Sequence, residues 1–98
     1  MRLTKQQIHT ITQTVFRLVG AESAVYLFGS RLNDQAKGGD IDLFIESDTP
    51  LSLIDRAQIK MELETQLSLP IDIVSKVRGA VATPFQSIAQ SRAALLEI

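Results

Sequence analysis

Three aspartates on two predicted strands are the residues of this sequence best suited to chemistry. Asp40 and Asp42 lie within residues 39–45 (GDIDLFI), and Asp72 lies within residues 70–74 (PIDIV). Residues i and i+2 of a strand point to the same face, so Asp40 and Asp42 project together. Adjacent carboxylates repel each other unless a proton or a cation compensates. Because Mg²⁺ prefers oxygen ligands, the pattern indicates a magnesium site.

A glycine-serine turn upstream of these aspartates is suited to phosphate. The apolar run at residues 25–28 (VYLF) ends in Gly29, Ser30 and Arg31. Glycine lets the backbone approach a ligand closely, and the amides at the start of a helix attract anions. The Ser30 hydroxyl and the planar Arg31 guanidinium would add donors that fit phosphate oxygens. The segment predicts a phosphate site, although glycine after a strand also forms simple turns, and Arg31 could instead pair with Asp34.

Together these segments resemble the minimal nucleotidyltransferases of the DNA polymerase β superfamily. The shared signature is the Gly29-Ser30 turn, a spacer of nine residues, an Asp40-x-Asp42 strand and a third acid, here Asp72. The resemblance implies a polymerase β-like nucleotidyltransferase fold of the α+β (α/β) class, with a small mixed sheet of about three strands packed with helices. It also implies that residues 1–98 form a single minimal nucleotidyltransferase domain.

The resemblance implies a role for each residue of the signature. The turn at residues 29–31 holds nucleotide phosphates, with Arg31 neutralising triphosphate charge. Asp40 and Asp42 hold two Mg²⁺ ions. Asp72 completes the metal site and helps to activate the attacking hydroxyl, so all three aspartates are both catalytic and metal-binding.

For function, the resemblance implies Mg²⁺-dependent transfer of AMP from ATP to a hydroxyl group. In the best described arrangement of the family, the acceptor is a tyrosine of a helical HEPN-type ribonuclease toxin, which the nucleotidyltransferase silences as its antitoxin in a type VII toxin-antitoxin system. A hetero-oligomer with such a toxin is therefore expected.

Two alternatives stay open. A non-catalytic antitoxin would act by occlusion of its helical partner. This alternative is motivated by Asn33 and Asp34, which stand where small members of the family often carry a second arginine and a glycine. A small-molecule nucleotidyltransferase of the aminoglycoside type is the other alternative.

Length and composition exclude several other classes. The 98 residues allow one small domain. A formal charge of −1 gives no basic surface for nucleic acid, and template-directed polymerisation is not expected. The absence of cysteine excludes disulfides and thiolate metal sites. Residues 1–20 lack the continuous apolar stretch of a signal peptide or membrane span, so we expect a cytoplasmic protein with no membrane partner.

Hydrophobic periodicity and turn residues predict the elements that position the aspartates. A capping box at Thr4 and Gln7 begins a helix that stops at Gly20. Strands are predicted at residues 24–28 and 40–46, with a third that reaches residue 75. Between and after them we predict a helical turn at 30–34, a polar loop at 35–39, a helix at 52–68 and a last helix at 83–96.

The helix at 52–68 makes residues 40–75 a βαβ unit, whose two strands are parallel. This arrangement predicts that Asp72 lies beside Asp42. The sheet face that carries the aspartates is expected to remain uncovered by this chain, because covering it would block substrate. We expect His9 at the surface, and three glutamates on solvated faces: Glu46, Glu62 and Glu64.

Overall fold

One mixed sheet and two helices make up most of the described part of the chain. The computed structural model describes residues 3–28, 41–81, 83, 84, 86 and 94–96. The elements, in chain order, are α1 (Lys5–Leu18), β1 (Ala24–Phe28), β2 (Ile41–Ser47), α2 (Leu53–Leu67), β3 (Ile71–Val77) and β4 (Ala94–Leu95). The sheet order is β3-β2-β1-β4; β1 runs antiparallel to β2 and β4, and β2 runs parallel to β3. This arrangement confirms the predicted α+β class and adds a short fourth strand.

Both helices begin with a capping box. The Thr4 hydroxyl accepts a hydrogen bond from the Gln7 amide at 3.0 Å, and the Gln7 side chain accepts one from the Thr4 amide at 2.9 Å. Ser52 and Asp55 repeat this arrangement at the start of α2. Each box satisfies amides that the first helical turn leaves without partners. Neither helix of the described residues has the length and apolar character needed to cross a bilayer.

Removing the cap of α2 should lower stability measurably. We expect Ser52→Ala to reduce the free energy of unfolding by about 1 kcal/mol, because the Asp55 amide loses its acceptor. Ser52→Asp keeps an acceptor and is expected to stay close to wild type. Urea denaturation of both variants checks this, and equal losses in the two would contradict it.

The core lies between the two helices and one face of the sheet. On β2, alternate residues point toward the helices, and Ile41, Leu43 and Ile45 are fully buried. The rest of this core comes from both helices, from β1 and β3, and from the residue after β4: Ile11, Val15, Val25, Leu27, Ile59, Leu63, Ile71 and Leu96. The opposite face of the sheet therefore carries the intervening residues, which include Asp42 and Asp72.

The prediction that this opposite face remains uncovered is wrong for its central part. Phe44, two residues after Asp42, is completely buried there. Its ring makes an edge-to-face contact with Tyr26 of β1, with a centroid distance of 5.9 Å and an interplanar angle of 69°. Burial of Phe44 against the Tyr26 ring stabilises the fold. At the end of this face, the Asp72 side chain is exposed.

The predicted last helix begins correctly but ends differently. Thr83 and Gln86 form a third capping box, with hydrogen bonds of 2.9 and 3.1 Å, and Pro84 is helical. Residues 94–95, predicted as helix, instead form β4, and the Leu96 amide donates to the Val25 carbonyl at 2.9 Å. Pairing with the open edge of β1 and burial of Leu96 outweigh helical periodicity here. Most of residues 85–93 lies outside the described part.

Candidate active site on strands β2 and β3

Two of the three predicted site aspartates are direct neighbours in the sheet. Asp42 of β2 is in register with Asp72 of β3. The Ile41 amide donates to the Pro70 carbonyl at 2.9 Å, which fixes the start of this parallel pair. The Asp42 residue is partly buried, whereas 63% of the Asp72 side chain is exposed. The prediction that Asp72 lies beside Asp42 is confirmed, and the two carboxylates share one face.

The end of β1 lies at the same position in the sheet. Phe28, its last residue, is paired with Asp42. In the sequence, the predicted phosphate-binding residues Gly29, Ser30 and Arg31 follow Phe28, and Asp40 precedes Ile41. These four residues, together with the predicted turn at 30–34 and loop at 35–39, lie outside the described part of the chain. Their roles stay predictions.

A lysine and a glutamate of α2 reach the start of β3, and sequence reasoning missed both. The Glu64 carboxylate accepts a hydrogen bond from the Ile71 amide at 2.9 Å. The Lys60 ammonium donates to the Ile71 carbonyl and to Glu64, the latter at 3.1 Å. Lys60 Nζ also lies 4.0 Å from Asp72 Oδ1. Lys60 and Glu64 therefore bond both backbone polar groups of Ile71, the residue before Asp72. Glu64, which the sequence predicted on a solvated face, instead contacts the backbone of β3.

These contacts perturb the titration of Glu64. The Ile71 amide, and next the Lys60 side chain, stabilise the ionised carboxylate and hold the pKa of Glu64 below its ordinary value. Desolvation acts in the opposite direction and is outweighed. Glu64 is therefore ionised in the folded chain at neutral pH and keeps its hydrogen bond to β3.

The lowered pKa of Glu64 predicts a pH-dependent contribution to stability. A carboxyl whose folded pKa is depressed stabilises the fold above its unfolded value, here 4.5, and loses that contribution as pH falls through the folded value. Glu64→Gln keeps an oxygen acceptor but has no charge to titrate. The difference in unfolding free energy between wild type and this variant should be constant above about pH 6 and shrink toward pH 3. Urea denaturation across this range is the measurement, and a difference independent of pH would contradict the assignment.

A second ionic cluster lies at the far end of the same strands. Lys76 Nζ is 3.8 Å from Glu46 Oε2, and only 7% and 14% of the two side chains are exposed. Arg78 Nε lies 3.9 Å from Glu46, and the guanidinium also contacts Asp48 and the Glu22 carbonyl. The prediction that Glu46 is solvated is wrong, because cations from β3 and the turn after it cover its carboxylate. Glu46 is four positions beyond Asp42 on β2, a distance of about 13 Å, so this cluster is separate from the aspartate pair.

Comparison with protein families identifies the fold. The family model described as polymerase beta, nucleotidyltransferase, matches residues 6–97. The chain belongs to this family. Among the residues of this nucleotidyltransferase that are described, no group of three acidic, histidine or cysteine side chains could form a metal cage. Asp42 and Asp72 supply two of the three predicted carboxylates, and Asp40 lies outside that part.

Solved structures agree with the nucleotidyltransferase fold. One, an MNT antitoxin in complex with a tri-AMPylated HEPN toxin of Shewanella oneidensis, has a TM-score of 0.76 and 19% identity, covering 97% of this chain and 72% of that chain. Another, assigned as a minimal nucleotidyltransferase, has a TM-score of 0.69 and 27% identity, covering 92% of this chain and 89% of that chain. No curated protein shows significant sequence similarity to the chain.

The donor set of the aspartate pair fits a divalent cation. Both side chains present carboxylate oxygens on one sheet face, and neither Asp42 nor Asp72 is fully buried. Oxygen ligands with access to solvent suit Mg²⁺, which keeps several of its waters when bound to protein. Asp42 and Asp72 are thus the described residues that would hold such an ion.

Proposed function

We propose that this chain is a Mg²⁺-dependent nucleotidyltransferase that transfers AMP from ATP to a tyrosine hydroxyl of a helical toxin partner, and so acts as its antitoxin. The observation that carries the proposal is the register of Asp42 with Asp72 at the end of β1, in a chain of the nucleotidyltransferase family. The fold neighbour that is an MNT antitoxin in complex with an AMPylated HEPN toxin supports the choice of acceptor and nucleotide.

The proposed reaction is an in-line displacement at the α-phosphorus of ATP. The acceptor oxygen forms a bond to that phosphorus, the bond to the bridging oxygen of the β-phosphate breaks, and pyrophosphate leaves. The hydroxyl proton moves to the carboxylate of Asp72, whose 63% exposure leaves it accessible to a group on another protein. Mg²⁺, when bound, supplies the charge stabilisation that phosphoryl oxygens need.

The remaining roles are assigned from the sequence signature. Asp40 and Asp42 would ligate Mg²⁺ together with Asp72. The turn at residues 29–31 would hold the triphosphate, with backbone amides and the Ser30 hydroxyl as donors and Arg31 as a counter-charge. Phe28, which precedes this turn in the sequence, pairs with Asp42.

Label transfer to a co-purified partner tests the proposed function. The chain is incubated with its partner, Mg²⁺ and ATP labelled at either the α- or the γ-phosphate. Nucleotidyl transfer puts α-label, and no γ-label, on a partner tyrosine, which peptide mass spectrometry identifies. No label on the partner overturns the proposal, and α-label on an added aminoglycoside instead would assign a small-molecule transferase.

Neutralisation of the same partner distinguishes catalysis from an antitoxin that acts by binding alone. The double variant Asp42→Asn, Asp72→Asn keeps the size of both side chains but removes both described carboxylates. If transfer silences the toxin, this variant should fail to neutralise it. Neutralisation at wild-type level would show that occlusion, and not catalysis, is the antitoxin activity.

A further inference from the structure

We propose that Lys60 and Glu64 are positioning residues for Asp72, through which helix α2 controls the geometry of the catalytic carboxylate. The inference rests on the proposed function and deepens it, because it assigns to α2 a part in catalysis that the signature motif does not include. It comes from the contacts of α2 with the first residue of β3.

The start of β3 depends on α2 because of its place in the sheet. Among the strands of the described residues, in the order β3-β2-β1-β4, β3 is an edge strand and β2 is its one neighbour. The Pro70 carbonyl is bonded toward β2, by the Ile41 amide. The amide and carbonyl of Ile71 are instead bonded by Glu64 and Lys60. Backbone polar groups need partners when they are withdrawn from water, and at Ile71 these partners are two side chains on successive turns of one helix.

Lys60 links this backbone contact to the carboxylate itself. Its ammonium donates to the Ile71 carbonyl and lies 4.0 Å from Asp72 Oδ1. The side chain is 45% exposed, so the ion pair with Asp72 is a weak source of stability. Its effect is instead on orientation, since one ammonium contacts both the backbone that carries Asp72 and the carboxylate that Asp72 presents.

The Lys60–Glu64 pair therefore restricts two degrees of freedom of Asp72. Glu64 and Lys60 fix the peptide groups before it, and the charge of Lys60 attracts one of its oxygens. Catalytic carboxylates are effective only near the productive geometry, and a displacement of about 1 Å can lower the rate by 10²-fold. Loss of the pair should consequently slow the chemical step and leave nucleotide binding intact.

The test compares two glutamates of α2 that are two positions apart. Glu64→Ala removes the bond to Ile71, whereas Glu62→Ala, the matched control, removes an ion pair with Arg17 of α1. The two side chains are similarly exposed, at 33% and 32%. Lys60→Met removes the ammonium, whereas Lys60→Arg keeps a cationic donor at this position. Label transfer to the partner gives kcat and the KM for ATP, and NMR gives hydrogen exchange of the Ile71 amide.

We expect kcat to fall by about 10- to 100-fold in Glu64→Ala and Lys60→Met, with KM for ATP within about twofold of wild type. Lys60→Arg should retain most of the wild-type kcat. Exchange of the Ile71 amide should accelerate in Glu64→Ala and stay unchanged in Glu62→Ala. Equal kcat values for Glu64→Ala, Lys60→Met and Glu62→Ala would overturn the inference, as would a change confined to KM.

The exchange measurement separates failure of the inference from failure of the proposed function. A wild-type chain that transfers no label overturns the proposed function and the catalytic role of Lys60 and Glu64 with it. Accelerated exchange in Glu64→Ala would then still establish the contact as structural. An active wild type with unchanged exchange and unchanged kcat in the variants overturns the inference alone.

Discussion

Asp42→Asn and Asp72→Asn are each expected to lower the rate of AMP transfer about a thousandfold, the upper range for removing one preorganised electrostatic contact in an active site. Asparagine keeps the size of the side chain but not its charge, so a bound cation loses an anionic ligand at either position. The two aspartates are paired in register, so each variant leaves one of the two described carboxylates at the site. The rate of α-label transfer to the partner is the measurement.

Stability measurements separate this loss from unfolding. Asparagine keeps the size and a polar end of each side chain, so both variants should unfold at urea concentrations close to that of wild type. Asp48→Asn is the matched control, since Asp48 follows the other end of β2 and contacts Arg78. It should transfer AMP at close to the wild-type rate. Retention of a tenth or more of the activity by Asp42→Asn or Asp72→Asn would argue against metal-dependent transfer at this pair.

The largest effect on stability is expected at Phe44. This side chain is completely buried and contacts the Tyr26 ring. Phe44→Ala should lower the free energy of unfolding by about 3–5 kcal/mol, from lost burial and from the cavity that remains. A domain of this size typically has only about 5–15 kcal/mol in total. Urea denaturation followed by circular dichroism gives the value.

A conservative change at the same position provides the control. Phe44→Leu keeps an apolar side chain and should cost less than the alanine variant. A loss below about 1 kcal/mol in Phe44→Ala, typical of a surface position, would show that the aspartate face is open around Phe44, as the sequence alone had predicted.

The elements whose signals are local were predictable from the sequence. A capping box at Thr4 predicts the start of α1, and helical periodicity from residue 52 predicts that of α2; the structure begins both helices there. Two strands separated by a helix imply a parallel pair, which is why the neighbourhood of Asp42 and Asp72 could be predicted across the intervening α2. The strand β4 could not, because its two residues pair with β1 through a tertiary contact that leaves no period in the sequence.

The residues that position Asp72 could not be predicted from the sequence for a similar reason. Lys60 and Glu64 have the i, i+4 spacing of ordinary solvated pairs on a helix. Nothing nearby in sequence shows that Ile71 lies within reach of both. Glu46 was likewise assigned to solvent because its cationic neighbours, Lys76 and Arg78, are distant in the chain.

Side chains also occupy the outer backbone groups of β3 farther along the strand. Gln86 Nε2 donates to the Ser75 carbonyl at 2.8 Å, in addition to the bonds that Lys60 and Glu64 make at Ile71. A strand from a second molecule could not extend the sheet there without displacing these three side chains. Exposed strand edges are templates for aggregation, so this chain can keep Asp72 accessible at its rim while resisting the growth of intermolecular sheets.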